Sequence, residues 1–317
     1  MKPTLEDPAC VRRRYAPYRA RLCQADDRLD ARLRGGALEA GSFSLVSRAY
    51  DLVLLDAFGV LYRGREAIAG AVAAVQRLQE AGRNLLLLSN NASQSPERLA
   101  RQLGKLGFAI PQGAILTSGM AVRPFVAASS YQGLPYYLVG TDDSLTAYAP
   151  DPSALCVNRR EGDGWQAACY ILLCSNRDYY GSLQQTQVEW LLARKGLPVL
   201  LANPDLTTPE ADGGLSPVAG YTATEWVERF RVPWLGLGKP FPPLYALVRQ
   251  RFPEIPPARC LMVGDTLETD ILGAAAQGFA SCLTLSGACA GVGEGLEALC
   301  DRQGIRPDFV VPSIADS

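Results

Sequence analysis

Residues 52–55 read Leu-Val-Leu-Leu, an apolar run with no polar face, and Asp56 closes it. A strand that is hydrophobic at every position has to be covered on both sides. That restricts the chain to a parallel sheet with helices above and below it. Similar runs return at residues 85–88, 260–263 and 281–285. Between the first two, Ile68, Val72, Val75 and Leu78 recur at helical spacing, and Gly82 falls where a helix would end. Ser95-Pro96 is an N-cap and first-turn pair for a helix that places Leu99, Leu103 and Leu106 on one face and ends at Gly107.

A second strand–helix pattern occupies roughly residues 116–235. Its expected strands are residues 136–139, 170–173 and 199–201, with a helix after Ser182 that carries Leu183, Val188, Leu191 and Leu192. Thr222 and Glu225 have capping-box spacing ahead of Trp226 and Phe230. The expected organisation is therefore a parallel-sheet core from residues 46–115 and 236–317, with a second α/β domain, 116–235, inserted into one of its loops. Residues 1–45 are arginine-rich with helical periodicity over 15–33, and read as a helical extension without an assignable motif.

Composition removes several chemistries. The 317 residues include no histidine, so a Ser-His-Asp triad, a Cys-His dyad and any histidine-ligated metal are excluded. A metal here must be a hard ion held by oxygen. The net charge of −1 gives no basic field for nucleic acid or an acidic membrane. No apolar run is long enough to cross a bilayer. The start, MKPTLEDPACVRRR, has no apolar h-region, so no signal peptide is expected. Nine cysteines without a CxxC pair read as reduced thiols in a cytoplasmic protein. Of 31 basic residues only Lys2, Lys105, Lys195 and Lys239 are lysine, so each lysine draws notice in a chain that otherwise uses arginine.

Four polar features fall at the expected ends of strands, where open parallel sheets place their sites. They are Asp56, with Gly59 after it; Ser89-Asn90-Asn91; Gly238-Lys239-Pro240, leading into a helix near Pro242; and Gly264-Asp265 through Asp270. Each alone has an ordinary explanation as a turn former, a loop polar group, a surface cation or a helix-terminus charge. Together they match the needs of displacement at phosphorus. Asp56 serves as nucleophile and becomes an aspartyl phosphate. Mg²⁺ offsets the repulsion between two anions, held by Asp56, Asp265 and the Phe58 carbonyl, with Asp270 behind them. Ser89, Asn90, Asn91 and Lys239 are the candidates to bind the phosphoryl oxygens.

These segments resemble motifs I to IV of the haloacid dehalogenase (HAD) superfamily. GLGKPFPPLY followed by MVGDTLETDILGAAAQG resembles its class IIA branch, as does Ala202-Asn203-Pro204-Asp205. The resemblance covers about residues 50–290. It implies a Rossmann-like core with an inserted α/β cap of the C2 type, and Mg²⁺-dependent hydrolysis of a small phosphorylated metabolite. Cap-mediated homodimers occur in that branch. In the cap, Asn203 and Arg177 are candidates to contact substrate.

One position departs from the pattern. Phosphatases of the family carry a second aspartate two residues after the nucleophile, which protonates the leaving group; here the residue is Phe58, which cannot move a proton. Three readings fit. The chain is a phosphatase of reduced or specialised activity, with Asp178, Asp205, Glu210 or Asp212 as candidate substitutes for the acid. It is a dehalogenase-type hydrolase, whose halide leaves unprotonated, although such enzymes are metal-free. Or it binds a phosphorylated ligand without turnover. A phosphonatase-like reading needs a cap lysine, and the only one, Lys195, sits beside Gly196 where a helix dipole explains it.

Overall fold

The computed structural model describes residues 13–159, 163–209, 215–292 and 295–315. Seven parallel strands form the large sheet, in the order Glu39–Ala40, Phe309–Val311, Ala280–Thr284, Cys260–Gly264, Leu52–Leu55, Asn84–Ser89, Ile115–Thr117. Leu52–Leu55 is fully buried. Alternate residues along it point to opposite faces, as strand geometry requires. Leu52 and Leu54 pack with Leu244, Tyr245 and Val248 of the helix Pro242–Arg251. Val53 and Leu55 pack with Val75, Leu78, Leu99 and Leu103 of the helices Ala71–Glu80 and Pro96–Lys105. Ser95 caps the second of these helices by accepting the Arg98 N–H.

From Leu52–Leu55 the chain steps outward in one direction to Asn84–Ser89 and Ile115–Thr117. It returns much later on the other side at Cys260–Gly264. Between these passes lies a smaller sheet, also parallel, in the order Trp234–Gly236, Val199–Leu201, Tyr170–Leu173, Tyr136–Val139. The architecture is the expected parallel-sheet core with an inserted α/β cap.

Two expectations differ from what is observed. Thr222 and Glu225 do not start a helix: Ala219–Phe230 begins three residues before Thr222, with Val218 in the N-cap position. Their side chains instead bond polar neighbours, Thr222 with the buried Asn176 and the half-buried Tyr180, and Glu225 with Tyr180. The second difference lies in the N-terminal segment. It forms the helices Ala16–Ala25 and Leu29–Arg34, but it also supplies the edge strand Glu39–Ala40 to the large sheet. Tyr18, Leu22, Leu29 and Leu33 are buried in one cluster with residues of both sheets, so the segment is packed into the body.

Leu54 lies wholly inside the central strand, whereas Leu45 is 65% exposed. Leu54→Ala should cost about 2–5 kcal/mol of unfolding free energy in urea titration, and Leu45→Ala should stay within about 0.5 kcal/mol of the parent.

Candidate active site

The register of three neighbouring strands brings the site together. Leu55 pairs with Val263, and the Asp56 N–H donates to the Val263 carbonyl at 2.9 Å, so Asp56 and Asp265 leave adjacent strands side by side. Ser89 ends the strand on the other flank. This is the point where the strand order reverses, the usual binding position in such sheets. After Cys260–Gly264 the chain makes one wide π-type turn, Leu267–Ile271, before the α-helix Leu272–Gln277. Turns of this kind re-aim side chains at functional positions. Here Asp270 is turned back, and its Oδ2 accepts the N–H groups of Asp265 and Thr266, both at 3.2 Å.

Lys239 reaches this cluster from the segment after the small sheet. Its Nζ donates to Asp56 Oδ1 at 2.5 Å and to Asp270 Oδ1 at 2.7 Å. It is 2% exposed, Asp56 8%, Asp265 5% and Asp270 1%, so these charges meet away from water. Burial works to lower the Lys239 pKa, but Asp270 and Asp56 outweigh it and hold the ammonium above the ordinary lysine value. Burial pushes the Asp56 carboxyl up; Lys239 opposes this, Asp270 and Asp265 add to it, and the net direction is upward. Asp265 is pushed up to about 7, by burial first and then by Asp270.

Oxygen atoms of Asp56, Asp265 and Asp270 lie within 4.8 Å of one another. Three buried carboxylates face one ammonium, which leaves two negative charges unbalanced when all are ionised. A divalent, oxygen-seeking cation fits that donor set and that charge. The turn after Asp56 is shaped around the cluster. Gly59 has φ of +81°, and a Cβ built on it would lie 1.9 Å from Asp265 Oδ2.

The other residues singled out in the sequence divide. The Ser89 hydroxyl accepts the Asn91 N–H at 3.3 Å, at the end of the strand beside the one that Asp56 closes. The Asn90 carboxamide is fully engaged: Oδ1 accepts the Lys239 N–H at 2.7 Å, while Nδ2 donates to the Lys239 carbonyl at 3.0 Å and to Asp205 Oδ1 at 2.8 Å. The Asn91 side chain closes its own loop through Ser93 and Gln94. Asn203 Oδ1 accepts the Asp205 N–H. All three amides thus make hydrogen bonds that shape the loops around the cluster. Phe58 is half-buried, with its ring edge-on to Tyr62 at 5.2 Å between centroids.

The small sheet turns the C-terminal ends of its strands toward this site. After Tyr136–Val139, Thr141 and Ser144 donate to the carbonyls of Ser93 and Ala92, each at 2.7 Å. After Val199–Leu201 comes Asp205, bonded to Asn90. Arg177 and Asp178 are exposed on the loop after Tyr170–Leu173, the strand between those two. Lys195 is spent elsewhere, donating to the carbonyls of Gln166 and Ala168. Glu210 and Asp212 lie outside the described residues.

Two groups were missed from the sequence. The Ser286-Gly287-Ala288 loop holds Asp265 in place: the Ala288 N–H donates to Asp265 Oδ2 at 2.6 Å, and Ser286 donates to the Gly59 carbonyl at 2.7 Å. Ser-Gly directly after a strand was the available signal. Tyr15 and Tyr18, which grip the residues flanking Asp205, carried no local signal beyond helical spacing.

Comparison with known proteins agrees with this geometry. A haloacid dehalogenase-like hydrolase family model matches residues 53–149, and an HAD-hydrolase-like model matches 236–317. The glycerol-3-phosphate phosphatase of Gallus gallus is 31% identical over 88% of this chain and 94% of its own length. Human chronophin is 28% identical over 90% of this chain and 96% of its own. A crystal structure described as a possible sugar phosphatase of the HAD superfamily from Cytophaga hutchinsonii superposes with a TM-score of 0.78, at 27% identity over 89% of this chain and all of that one. The chain belongs to the haloacid dehalogenase-like hydrolases. Within them it falls in the class IIA sugar-phosphatase branch, among the phosphatase-type hydrolases.

The raised carboxyls give a signed pH dependence. Asp265 at about 7, and Asp205 pushed up to about 6 mainly by burial, bind protons more tightly folded than unfolded, where carboxyls titrate near 4. Unfolding free energy should therefore fall as pH rises between about 4 and 7. The melting temperature of EDTA-treated protein should be lower at pH 8 than at pH 5, and added Mg²⁺ should raise it more at pH 8. A melting temperature that climbed across this window would contradict the raised carboxyls.

Proposed function

We propose that the chain is a Mg²⁺-dependent phosphatase of small phosphorylated metabolites, working through an aspartyl phosphate on Asp56. The observation that carries this reading is the buried Lys239 ammonium between Asp56 and Asp270, beside a third carboxylate at Asp265. Asp56, Asp265 and the Phe58 carbonyl would hold Mg²⁺, which when bound supplies charge neutralisation for an anionic nucleophile meeting an anionic substrate. Asp270 serves behind them, tying the Lys239 ammonium through Oδ1 to the loop N–H groups that its Oδ2 accepts.

The protein's own groups then have distinct tasks. Asp56 attacks phosphorus and displaces the leaving oxygen. Lys239 holds Asp56 in one rotamer and offers positive charge where negative charge builds on the phosphoryl group. Ser89 hydrogen-bonds a phosphoryl oxygen. Water then attacks phosphorus, the P–O bond to Asp56 breaks, and phosphate leaves with the free carboxylate restored and the proton of the water lost to solvent. No proton reaches the leaving oxygen from Phe58, so substrates with acidic leaving groups are favoured over alkyl phosphates. The excess negative charge of the cluster speaks for a metal-dependent reaction over the metal-free dehalogenase reading.

Purified protein with Mg²⁺ should release phosphate from p-nitrophenyl phosphate, and Asp56→Asn should abolish release. Release that survived this substitution would end the aspartyl-phosphate reading. Glycerol 3-phosphate, the substrate in the name of one relative, tests the missing acid. Phe58→Asp should raise its turnover by about 10²-fold, the lower end of general acid–base help. A phosphorylated ligand that raised the melting temperature without any turnover would move the function to binding.

A further inference from the structure

Asn90 was expected to bind phosphate, and the structure gives its carboxamide a different employment. It brackets the Lys239 backbone on both sides, donating to the carbonyl and accepting from the N–H, as a paired strand would. The fit depends on the residue before: a Cβ on Gly238 would lie 2.3 Å from Asn90 Oδ1 and 2.7 Å from Pro204 Cδ. With the backbone held in this way, the Lys239 side chain reaches Asp56 and Asp270 from a fixed starting point. The same Asn90 Nδ2 also donates to Asp205, the carboxylate at the end of the small sheet.

The residues around Asp205 are held in turn from outside both sheets. The Tyr18 hydroxyl donates to the Pro204 carbonyl at 2.8 Å, and the Leu206 N–H donates to the Tyr15 hydroxyl at 2.9 Å. Tyr18 also packs edge-on against Phe241 at 5.1 Å and tilted against Trp234 at 5.3 Å, which lie on either side of Lys239 in the chain. The segment that carries these tyrosines is tied to both bodies. Arg14 pairs with Glu228 and Arg21 donates to the Trp234 carbonyl on the small-sheet side. Arg19 donates to the Gln303 carbonyl and Arg32 to the Ala275 carbonyl on the large-sheet side. Burial keeps both tyrosine hydroxyls protonated, with pKa values well above the ordinary phenol.

We propose that Asn90 and Asp205 are positioning residues for Lys239, and that Tyr15 and Tyr18 of the N-terminal segment hold them in register. The unbroken path runs from the two hydroxyls through residues 204–206 to Asn90, to the Lys239 backbone, and through its ammonium to Asp56. The proposal rests on the reading of Asp56 as nucleophile and Lys239 as its partner. It assigns the N-terminal segment a role in turnover, and it gives Asp205 the part of an anchor instead of a substitute for the missing acid at position 58.

The test compares Asp205→Ala, Asp205→Asn and the double substitution Tyr15→Phe with Tyr18→Phe, each confirmed folded by circular dichroism. Turnover of p-nitrophenyl phosphate with Mg²⁺ is read as separate kcat and KM values and as a pH profile. The melting shift on adding orthovanadate and Mg²⁺ gives a second readout that needs no turnover. Asp205→Ala and the tyrosine pair should lower kcat tenfold or more, in keeping with the cost of misplacing a reacting group, with KM within about twofold. Asp205→Asn keeps an oxygen acceptor for Asn90, so it should recover most of that kcat with the wild-type pH profile. If Asp205→Asn is as damaged as Asp205→Ala and a limb of the pH profile disappears, Asp205 is an acid and the proposal is wrong. Wild-type kcat and orthovanadate shift in the tyrosine pair would also overturn it. Wild-type protein with neither turnover nor an orthovanadate shift would instead bring down the phosphatase reading, and this inference with it.

Discussion

The buried contact between one ammonium and two carboxylates organises this molecule. Lys239 meets Asp56 and Asp270 where little water is available to screen any of them. A charge removed from such a cluster leaves its partners uncompensated, a loss of about 3–5 kcal/mol in comparable buried pairs. Asp56 lies far along the chain from Lys239 and Asp270, so the contact depends on the pairing of the strands Leu52–Leu55 and Cys260–Gly264. The residue type also matters. Arginine supplies nearly every other cation in this protein, yet a planar fork would not sit between two carboxylates as a compact ammonium does.

Around that contact the site is built mostly by backbone. Gly59 and Gly238 allow side chains to approach where any Cβ would collide. The Asp265 carboxylate is steered by the Ala288 N–H, and Asp270 by two N–H groups of its own loop. Phe58 belongs to a different environment, an aromatic contact with Tyr62 at the edge of the cluster. Under the proposed function, the arrangement preserves what a nucleophile and a cation need and leaves out what a departing alkoxide needs.

The sheet, the insertion and the charged cluster were legible because each rests on local pattern. Apolar runs such as residues 52–55, helical spacing of leucines, and carboxylates closing strands all leave a mark within a few residues. The roles of the amides were not legible, because a polar side chain looks the same in sequence whether it faces a ligand or a neighbouring loop. Asn90, Asn91 and Asn203 stand in a motif-like position, and the hydrogen bonds each makes to its own or a neighbouring loop left no mark in the sequence. The capping-box spacing of Thr222 and Glu225 misled for a related reason: Asn176 and Tyr180 claimed those side chains inside a helix already under way. Tyr15 and Tyr18 act almost two hundred positions away, and no window along the chain connects them to Asp205.

The edge strand Glu39–Ala40 has a consequence beyond the site. It is only two residues long and both are exposed, yet it occupies the hydrogen-bonding edge of Phe309–Val311. An uncovered edge of a parallel sheet is a template on which another copy of the chain can add a strand. Loss of the N-terminal segment would therefore open a self-association surface at the far end of the sheet. Solubility and turnover would then be linked through one stretch of chain that lies outside both sequence signatures of the family.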